Sequence, residues 1–324
     1  MKIFIYGAGA VGLGLASFLI KAGATVHILA RERTAAALQR GGLQREGIFG
    51  RIQCEADSFR SYSLLNEIET TPYDFILVCV KSFDTKEAAK DIFIHKKMMS
   101  PWTRIVHYQN GWGNAENFLD YFPKDQIYSA RVITGFKRLE LNQVNITVHA
   151  QPVSMGSLFG EDIACLAPLA EYMVKGGMPC ELTDHIGKEL WAKMLYNCAL
   201  NPLGAILRVS YGRLGEHKYT REMMNRIFEE IYRLFEVTEY QTHWPTAESY
   251  QDIFYSKLLP STYHHESSML QDIRQGKRTE IDVMNGAVIQ LAKTHAIDMP
   301  YNESVYSMLK FIEKESAKHD IQND

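Results

Sequence analysis

The chain has 324 residues, of which 46% are hydrophobic and 23% charged, a composition typical of a folded protein with two domains. Its net charge of −3 gives no electrostatic reason to expect nucleic acid or an anionic membrane as a partner. The five cysteines are scattered without CxxC spacing, which favours a reduced protein over a disulfide framework or a zinc site.

Membrane and export signals are not evident. The longest apolar stretches are far shorter than the roughly 20 residues that a membrane-spanning helix needs. The chain enters the apolar run "IFIYGAG" directly after Met1 and Lys2, which leaves no room for a signal peptide. We therefore expect a cytoplasmic protein.

The first half alternates short apolar runs with amphipathic stretches. The runs "KIFIYG", "TVHILA", "YDFILVCV" and "TRIVHY" predict strands, and a helix is expected over residues 10–21. Such runs are typical of parallel strands buried on both faces, so the pattern predicts an α/β fold with a Rossmann-type doubly wound sheet. The stretch "GGLQREGIFGRIQCEA" suggests an inserted hairpin, and strands between residues 126 and 160 are expected to close the sheet.

A glycine-rich turn follows the first predicted strand and opens the first helix. Its first glycine permits a tight turn, its second lets the backbone approach a pyrophosphate, and its third lets helix and strand pack closely. The helix N-terminus offers free N–H groups to the same pyrophosphate. We therefore predict a dinucleotide site formed by Gly7, Ala8, Gly9, Ala10, Val11 and Gly12.

Residues after the next strands extend this prediction. Arg31 follows the strand "TVHILA", where an arginine suits the 2′-phosphate of NADP and an acid would suit NAD; Glu32 is its neighbour, but we favour NADPH. Lys81 follows a later strand and is either a cofactor contact or a surface lysine. Asn110, in "YQNGWG", could bind a carboxamide or substrate, although Asn-Gly is also a common turn dipeptide.

The pattern changes to long helical periodicity near residue 183. Examples are "DHIGKELWAKMLYNCAL", "TREMMNRIFEEIYRLFEVTEY" and "EIDVMNGAVIQLAKTHAI". We predict a dinucleotide-binding domain over residues 1–182 and an all-helical substrate domain over residues 183–324. The last residues, "HDIQND", are expected to fray.

One of these helices carries a polar stripe. Lys193, Asn197 and Asn201 recur every four residues on an otherwise apolar segment, so they fall on one narrow face of a helix. A buried lysine would have a lowered pKa and could act as a proton donor. Pro202 should kink or break the helix, because it removes the hydrogen bond to the Cys198 carbonyl. The stripe is either one wall of an active site or an interhelical hydrogen-bond network.

A second polar segment is "SSMLQDIRQGKRTEID". The hydroxyl of Ser268 could bind a substrate carboxylate, and Glu280 could hold a lysine or a cofactor hydroxyl. Alternatively, Thr279 caps a helix that begins near it, and Glu280 and Asp282 complement the helix dipole.

Together these blocks resemble the ketopantoate reductase (2-dehydropantoate 2-reductase) family over nearly the whole chain. The matching segments are "GAGAVG", Arg31, "VKSFDT", "QNGWG", "KMLYNCALNPLGA" and "SSMLQDIRQGKRTEID". The resemblance implies an NADPH-dependent reductase that forms pantoate on the route to coenzyme A, with its site between two domains and Lys193 facing the nicotinamide. Such an enzyme would act on a small 2-oxo acid as a monomer or homodimer.

The resemblance also assigns roles to residues. Lys193 would donate the proton to the reduced carbonyl oxygen. The substrate would contact Asn110, Asn197, Asn201 and Ser268. The cofactor side would include Arg31, Lys81, Asn110 and Glu280.

Two departures bear on the substrate. The family commonly has an asparagine before a glycine about ten residues after the position of Asn201, where this chain has Tyr211 before Gly212. The family's threonine-rich strand is replaced by "ARVITGFKR". Two alternatives therefore stand: a reductase of another 2-oxo or 3-hydroxy acid, and a non-enzymatic NADP(H)-binding regulator.

Overall fold

The computed structural model of the protein describes residues 1–68 and 72–321. Its internal contacts divide the chain into two compact units. The first comprises Met1–Gln109 and Asn114–Ile186, and the second comprises Asn110–Gly113 and Gly187–Asp324. The units differ from the predicted domains chiefly in the short segment Asn110–Gly113, which belongs by its contacts to the helical unit.

The first unit contains the strands and four longer helices. The strands are β1 (Lys2–Tyr6), β2 (Thr25–Leu29), β3 (Leu43–Gly47), β4 (Ile52–Cys54), β5 (Arg60–Tyr62), β6 (Phe75–Val78), β7 (Arg104–His107), β8 (Ile127–Arg131), β9 (Thr134–Glu140), β10 (Gln143–His149), β11 (Val153–Gly156) and β12 (Cys180–Leu182). The helices are α1 (Ala10–Lys21), α2 (Glu32–Gly41), α3 (Thr85–Ile94) and α4 (Ala167–Gly176).

An eight-stranded sheet forms the centre of this unit, in the order β5-β2-β1-β6-β7-β8-β11-β12. Neighbouring strands are parallel, except that β8 and β11 pair antiparallel. Alternate residues of β1 are buried on opposite faces: Ile3 and Ile5 pack in one core with α1, and Phe4 packs in another with α3. Helices therefore cover both faces, and the predicted doubly wound α/β sheet is confirmed.

A second, smaller sheet has the order β4-β3-β10-β9. Strands β3 and β4 pair antiparallel, so the predicted hairpin is confirmed. The expectation that all strands between residues 126 and 160 close the main sheet is wrong for β9 and β10, which extend the hairpin instead. Their place is explained by packing, because the Phe136 ring of β9 lies so close to Gly14 of α1 that an added Cβ would approach it to 2.3 Å.

The described residues of the second unit form helices and loops but no strand, which confirms the second part of the predicted fold class. Its longest helix before the C-terminus carries the polar stripe. The helices are α5 (Ile186–Leu207), α6 (Tyr211–Glu216), α7 (Lys218–Glu236), α8 (Ala247–Ile253), α9 (Leu259–Ser261), α10 (Ser268–Arg274), α11 (Asn285–Thr294) and α12 (Pro300–Ile321).

Two local predictions concern helices of this unit. Helix α5 contains Pro202 and continues to Leu207, so it does not break there, and the alternative of a kink stays a prediction. Of the residues predicted to fray, 319–321 continue α12, and 322–324 lie outside the described residues. Among the helices that the structure describes, none combines the length and the apolar character needed to cross a membrane.

Candidate functional site

The glycine turn lies between β1 and α1, as the sequence predicts. Gly7 has a φ of +111°, and a Cβ there would lie 2.8 Å from the Val80 nitrogen. A Cβ at Gly12 would lie 2.0 Å from the Gly7 carbonyl oxygen. Glycine is therefore required at both positions by the fold itself.

Gly9 is different, because the chain alone does not require it. It is the N-cap of α1 in an extended conformation, with a φ of −75°. A Cβ there would meet only the Cys79 carbonyl oxygen, at an ordinary 3.8 Å. No side chain caps α1, so its first N–H groups are available to an anion. The turn therefore fits a pyrophosphate, which a side chain at residue 9 would obstruct.

We expect Gly9→Ala to weaken binding of a nicotinamide dinucleotide by at least about tenfold, or ~1.4 kcal/mol. Its effect on folding should stay below about 1 kcal/mol, because only an N-cap preference is lost. Calorimetric titration with the dinucleotide and thermal unfolding separate the two effects. Gly12→Ala is the control and should lower Tm, because its Cβ collides with Gly7. Normal binding by Gly9→Ala would remove the turn from the site.

Two arginine side chains, Arg31 and Arg138, lie near each other at the carboxyl end of β2. Arg31 directly precedes α2 and is exposed, and Arg138 of β9 donates to the Thr34 hydroxyl in the first turn of α2, at 2.7 Å. Burial lowers the pKa of Arg138, and the positive charge of Arg31 lowers it further. Within the described ranges, neither guanidinium forms an ion pair with a carboxylate. Two neighbouring cations without a counter-ion favour binding of an anion.

Lys81 lies near the glycine turn. It follows β6 and precedes a short 3₁₀ turn, Ser82–Asp84, and it is partly buried. Its neighbour Val80 contacts Gly7 closely, as the distances above require. Since β1 and β6 are adjacent and the order of the strands reverses there, Lys81 lies where open α/β sheets bind ligands.

In the helical unit, three predicted site residues form a chain of hydrogen bonds. The Lys193 ammonium donates to Asn110 Oδ1 at 2.7 Å, and Asn110 Nδ2 donates to Glu280 Oε2 at 3.2 Å. Lys193 is partly buried, and Glu280 is 5% exposed. An ammonium only donates and a carboxylate only accepts, so the orientation of the Asn110 amide is fixed by its neighbours.

The loop that carries Asn110 is held on two sides. Gly111 has a φ of +86°, and a Cβ there would lie 2.5 Å from the Val283 carbonyl oxygen. Trp112 donates its backbone N–H to that same oxygen at 2.8 Å. The Trp112 ring also lies 4.6 Å from the ring of Trp191 on α5. These contacts place Asn110 between α5 and the segment of Glu280.

The segment that carries Glu280 is in turn anchored by α12. Glu313 accepts the backbone N–H of Thr279 at 2.7 Å, and Asp282 accepts a hydrogen bond from Tyr306 at 2.8 Å. The Thr279 hydroxyl accepts the backbone N–H of Ile281 at 3.3 Å, at the start of a 3₁₀ turn, Ile281–Val283, and α11 begins at Asn285. The capping alternative therefore holds for this short turn and not for α11. Glu280 lies at the N-terminus of the turn and also in the hydrogen-bond chain.

The other two members of the stripe behave differently from each other. Asn197 is 8% exposed, and its carboxamide makes no hydrogen bond with any residue that the structure describes. Asn201 is 3% exposed; its Oδ1 accepts from the Tyr211 hydroxyl at 2.5 Å, and its Nδ2 lies 3.5 Å from the Met284 sulfur. Asn201 therefore fits the network interpretation, whereas Asn197 is a buried polar group without a partner, as expected of a ligand contact.

The two serines of the second polar segment have different environments. Ser267 is fully buried; it caps α10 by accepting from the Leu270 N–H at 3.0 Å and donates to the Asn201 carbonyl at 3.2 Å. Ser268 is the first residue of α10 and is exposed. Ser267 therefore has a structural role, and the hydroxyl of Ser268 is accessible to a ligand.

The sequence interpretation missed Arg138 and the α12 contacts of Glu313 and Tyr306. Arg138 is 104 residues from its partner Thr34, and Tyr306 is 24 residues from Asp282. Neither separation leaves a local pattern. The inserted β3–β4 hairpin was the signal that could have indicated Arg138. Strands β9 and β10 extend that hairpin, and β9 brings Arg138 to the end of β2.

Comparisons with known proteins agree over both halves of the chain. A family model described as "Ketopantoate reductase PanE/ApbA" matches residues 3–159, and one described as "Ketopantoate reductase PanE/ApbA C terminal" matches residues 185–313. A protein of Aquifex aeolicus named 2-dehydropantoate 2-reductase is 35% identical over 313 residues, 96% of each chain. One of the same name from Pyrococcus horikoshii is 28% identical and is covered over 97% of its length, with 96% of this chain aligned.

A solved structure gives the same picture. The crystal structure of a PanE/ApbA family ketopantoate reductase from Ralstonia eutropha superposes with a TM-score of 0.83 at 27% identity. The superposition covers 98% of this chain and 99% of the other. The similarity therefore extends across both units rather than to the dinucleotide-binding fold alone.

Proposed function

The chain belongs to the ketopantoate reductase family, and on that premise we propose that it reduces 2-dehydropantoate (ketopantoate) to pantoate with NADPH. Family membership confirms the resemblance found in the sequence and the enzyme class that goes with it, an oxidoreductase. The observation that carries the proposal is the Lys193–Asn110–Glu280 hydrogen-bond chain, which starts from the same helix as the buried and unpartnered Asn197. Pantoate would serve the synthesis of pantothenate and coenzyme A.

The residues of the first unit support NADPH as the cofactor. The turn Gly7–Gly12 would hold the pyrophosphate, since its helix N-terminus is uncapped and Gly9 leaves space for it. Arg31 and Arg138 would bind the 2′-phosphate, and Lys81 would add a cation near the turn. Bound NADPH supplies a hydride, which the C2 carbonyl carbon of the 2-oxo acid accepts.

Lys193 would act as the general acid. Its ammonium proton passes to the carbonyl oxygen as negative charge develops there, which yields the 2-hydroxy acid and a neutral amine. A positioned acid of this kind contributes typically about 10²–10⁴-fold to the rate. Asn110 and Glu280 fix the ammonium, because the bond to Asn110 limits the positions that the flexible side chain can take.

The substrate would be bound by the remaining polar groups of the second unit. Asn197 would donate to or accept from the 2-oxo acid, because a buried carboxamide without a partner gains most from such a bond. Ser268 would bind the carboxylate through its exposed hydroxyl. Asn201 would meet the distal hydroxyl of ketopantoate with its remaining amide hydrogens.

The direct test is NADPH oxidation, followed at 340 nm, with ketopantoate and the purified protein. The expected result is stoichiometric formation of pantoate, with NADH a poorer donor. Tight binding of NADPH without turnover of any 2-oxo acid would contradict the proposal.

A second candidate is a reductase for another branched 2-oxo acid, favoured by the Tyr211–Asn201 bond. Burial raises the pKa of Tyr211 well above its ordinary value, so its hydroxyl remains a donor and occupies Asn201 Oδ1. A substrate hydroxyl therefore has only one remaining acceptor position on that oxygen. The matched pair of ketopantoate and 3,3-dimethyl-2-oxobutanoate, which differ by one hydroxyl, separates the two candidates.

We expect the protein to favour ketopantoate over the deoxy analogue by at least about tenfold in kcat/KM, as a site that binds a hydroxyl should. Tyr211→Phe should lower the ratio of the two kcat/KM values by roughly fivefold, the equivalent of one buried hydrogen bond. The reason is that the Tyr211 hydroxyl no longer holds the Asn201 amide in place. Tyr196→Phe is the control, since Tyr196 bonds to Thr262 instead. A wild-type ratio near one would support the second candidate.

A further inference from the structure

Helix α5 has a gap in its hydrogen bonding between two members of the polar stripe. Pro202 lies inside the helix and has no N–H, so the Cys198 carbonyl four residues earlier loses its helical partner. Cys198 is fully buried, and water cannot readily replace that partner. A buried carbonyl without a partner would be costly at this point.

Asn285 supplies the missing donor. Its Nδ2 donates to the Cys198 carbonyl oxygen at 2.9 Å and to Asn302 Oδ1 at 2.9 Å. The Cys198 carbonyl can only accept, so this orientation of the amide is required by its neighbour. Asn285 is fully buried, and its Oδ1 has no partner within the described residues. The amide is therefore held through its two donors.

The contact continues into a buried network. Asn302 Nδ2 donates to Glu230 Oε2 at 2.7 Å, and Glu230 also accepts the backbone N–H groups of Tyr301 and Asn302 at the start of α12. Glu230 is 1% exposed. Asn285 is thus held through Asn302, which Glu230 fixes in turn, and this leaves Asn285 little freedom to move away from α5.

The position of Asn285 connects this network with the proposed site. It directly follows Met284, whose sulfur faces Asn201, and it lies five residues after Glu280, which accepts from Asn110. The segment 280–285 therefore touches α5 at the proline gap and also carries the carboxylate at the end of the Lys193 chain. A shift at the gap would change the separation between Glu280 and the stripe.

We propose that Pro202 and Asn285 form a positioning junction that sets the geometry of Lys193, Asn197 and Glu280; the proposal rests on the proposed function. Pro202 leaves the Cys198 carbonyl without its helical partner, and Asn285 donates to it. The two segments that carry the proposed site residues, α5 and 280–285, are therefore joined at this point. A direct helical hydrogen bond at residue 202 would satisfy the carbonyl without joining them. Asn285 is thus a positioning residue and not a catalytic one.

A double-mutant cycle with Asn285→Ala and Pro202→Ala tests the junction. Asn285→Ala should lower kcat/KM for ketopantoate about tenfold or more, as expected when a buried carbonyl loses its donor. Pro202→Ala restores an N–H at residue 202, which can satisfy the Cys198 carbonyl, so it should not lower Tm. In the double variant that N–H should recover the Tm lost in Asn285→Ala, a coupling between neighbouring residues. The loss of kcat/KM should persist, within about threefold of that in Asn285→Ala, because α5 and the segment 280–285 stay unjoined.

The readouts distinguish positioning from stability. In Asn285→Ala the KM for the 2-oxo acid should rise and kcat should fall. The Kd for NADPH, measured by fluorescence, should not change. Recovery of kcat/KM in the double variant would overturn the proposal, as would a loss in Asn285→Ala that is confined to Tm. If wild type does not turn over ketopantoate, the proposed function fails first. The cycle is then run on urea midpoints, where additive effects would count against the bond between Asn285 and the Cys198 carbonyl.

Discussion

Lys193→Ala is expected to lower kcat by about 10²–10⁴-fold, the typical contribution of a general acid. The Kd for NADPH should change little, because the residues proposed to bind its pyrophosphate and 2′-phosphate lie in the first unit and Lys193 lies in the second. The carbonyl oxygen would then have to take its proton from water. Both kcat and kcat/KM should fall together, as they do when an interaction made mainly in the transition state is lost.

The matched control is Lys188→Ala, on the same helix. Lys188 has no hydrogen-bond or ion-pair partner within the described residues, so kcat should stay within about twofold, as for substitutions outside a site. Single-turnover kinetics with ketopantoate would exclude product release as the slow step. Unchanged turnover in Lys193→Ala would remove this residue from the mechanism.

Lys193→Arg is an informative second variant. It keeps the charge, but arginine does not lose its proton at accessible pH, so it can bind the carbonyl oxygen without protonating it. We expect its kcat to remain close to that of Lys193→Ala while its KM stays closer to wild type. Recovery of most of the wild-type kcat would argue that the charge, rather than the proton, is what the reaction needs.

The parts of the fold that follow local patterns were predictable. The predicted helix over residues 10–21 matches α1, and the apolar runs that predict β1, β2, β6 and β7 are strands. The glycine turn is predictable because any side chain at position 7 or 12 would collide with nearby backbone atoms. The four-residue spacing of the stripe placed Lys193 and Asn197 on one helix, although it did not predict that their hydrogen bonding would differ.

The remainder depends on contacts between distant segments. The sequence indicates that Pro202 should disturb α5, but it cannot indicate that Asn285, which is 87 residues after Cys198, donates to the freed Cys198 carbonyl. Likewise Tyr211 is visible as a departure from the family pattern, whereas its bond to Asn201 is not. The prediction that Lys193 faces the nicotinamide stays a prediction.

The cofactor preference gives the other large expected effect. The double variant Arg31→Ala/Arg138→Ala should lower kcat/KM with NADPH by roughly 100-fold or more, since each charge-assisted bond to a phosphate is worth about 1.5–3 kcal/mol. With NADH, which lacks the 2′-phosphate, kcat/KM should barely change. The ratio of the two cofactors therefore isolates this contact from any general loss of activity.

The physical reason lies in the pair of arginines itself. Arg138 has a lowered pKa because it is partly buried and lies near the charge of Arg31. A phosphate dianion between them would relieve the repulsion and favour the charged form of both side chains. Arg31→Ala alone should therefore lower the logarithm of kcat/KM with NADPH by less than half as much as the double variant does. The reason is that Arg138 is then free of the like-charge repulsion from Arg31.

Arg33→Ala is the matched control, since Arg33 is an exposed cation two residues from Arg31 that makes no ion pair within the part of the chain described. Its kcat/KM with NADPH should change little once ionic strength is near 0.15 M, where exposed charges are screened beyond about 8 Å. The KM for NADPH should rise with salt in wild type and in Arg33→Ala, and it should rise less steeply in the double variant, in which Lys81 is still present. Equal losses with NADPH and NADH would instead mean that Arg31 and Arg138 stabilise the fold, and the 2′-phosphate would have to be bound elsewhere.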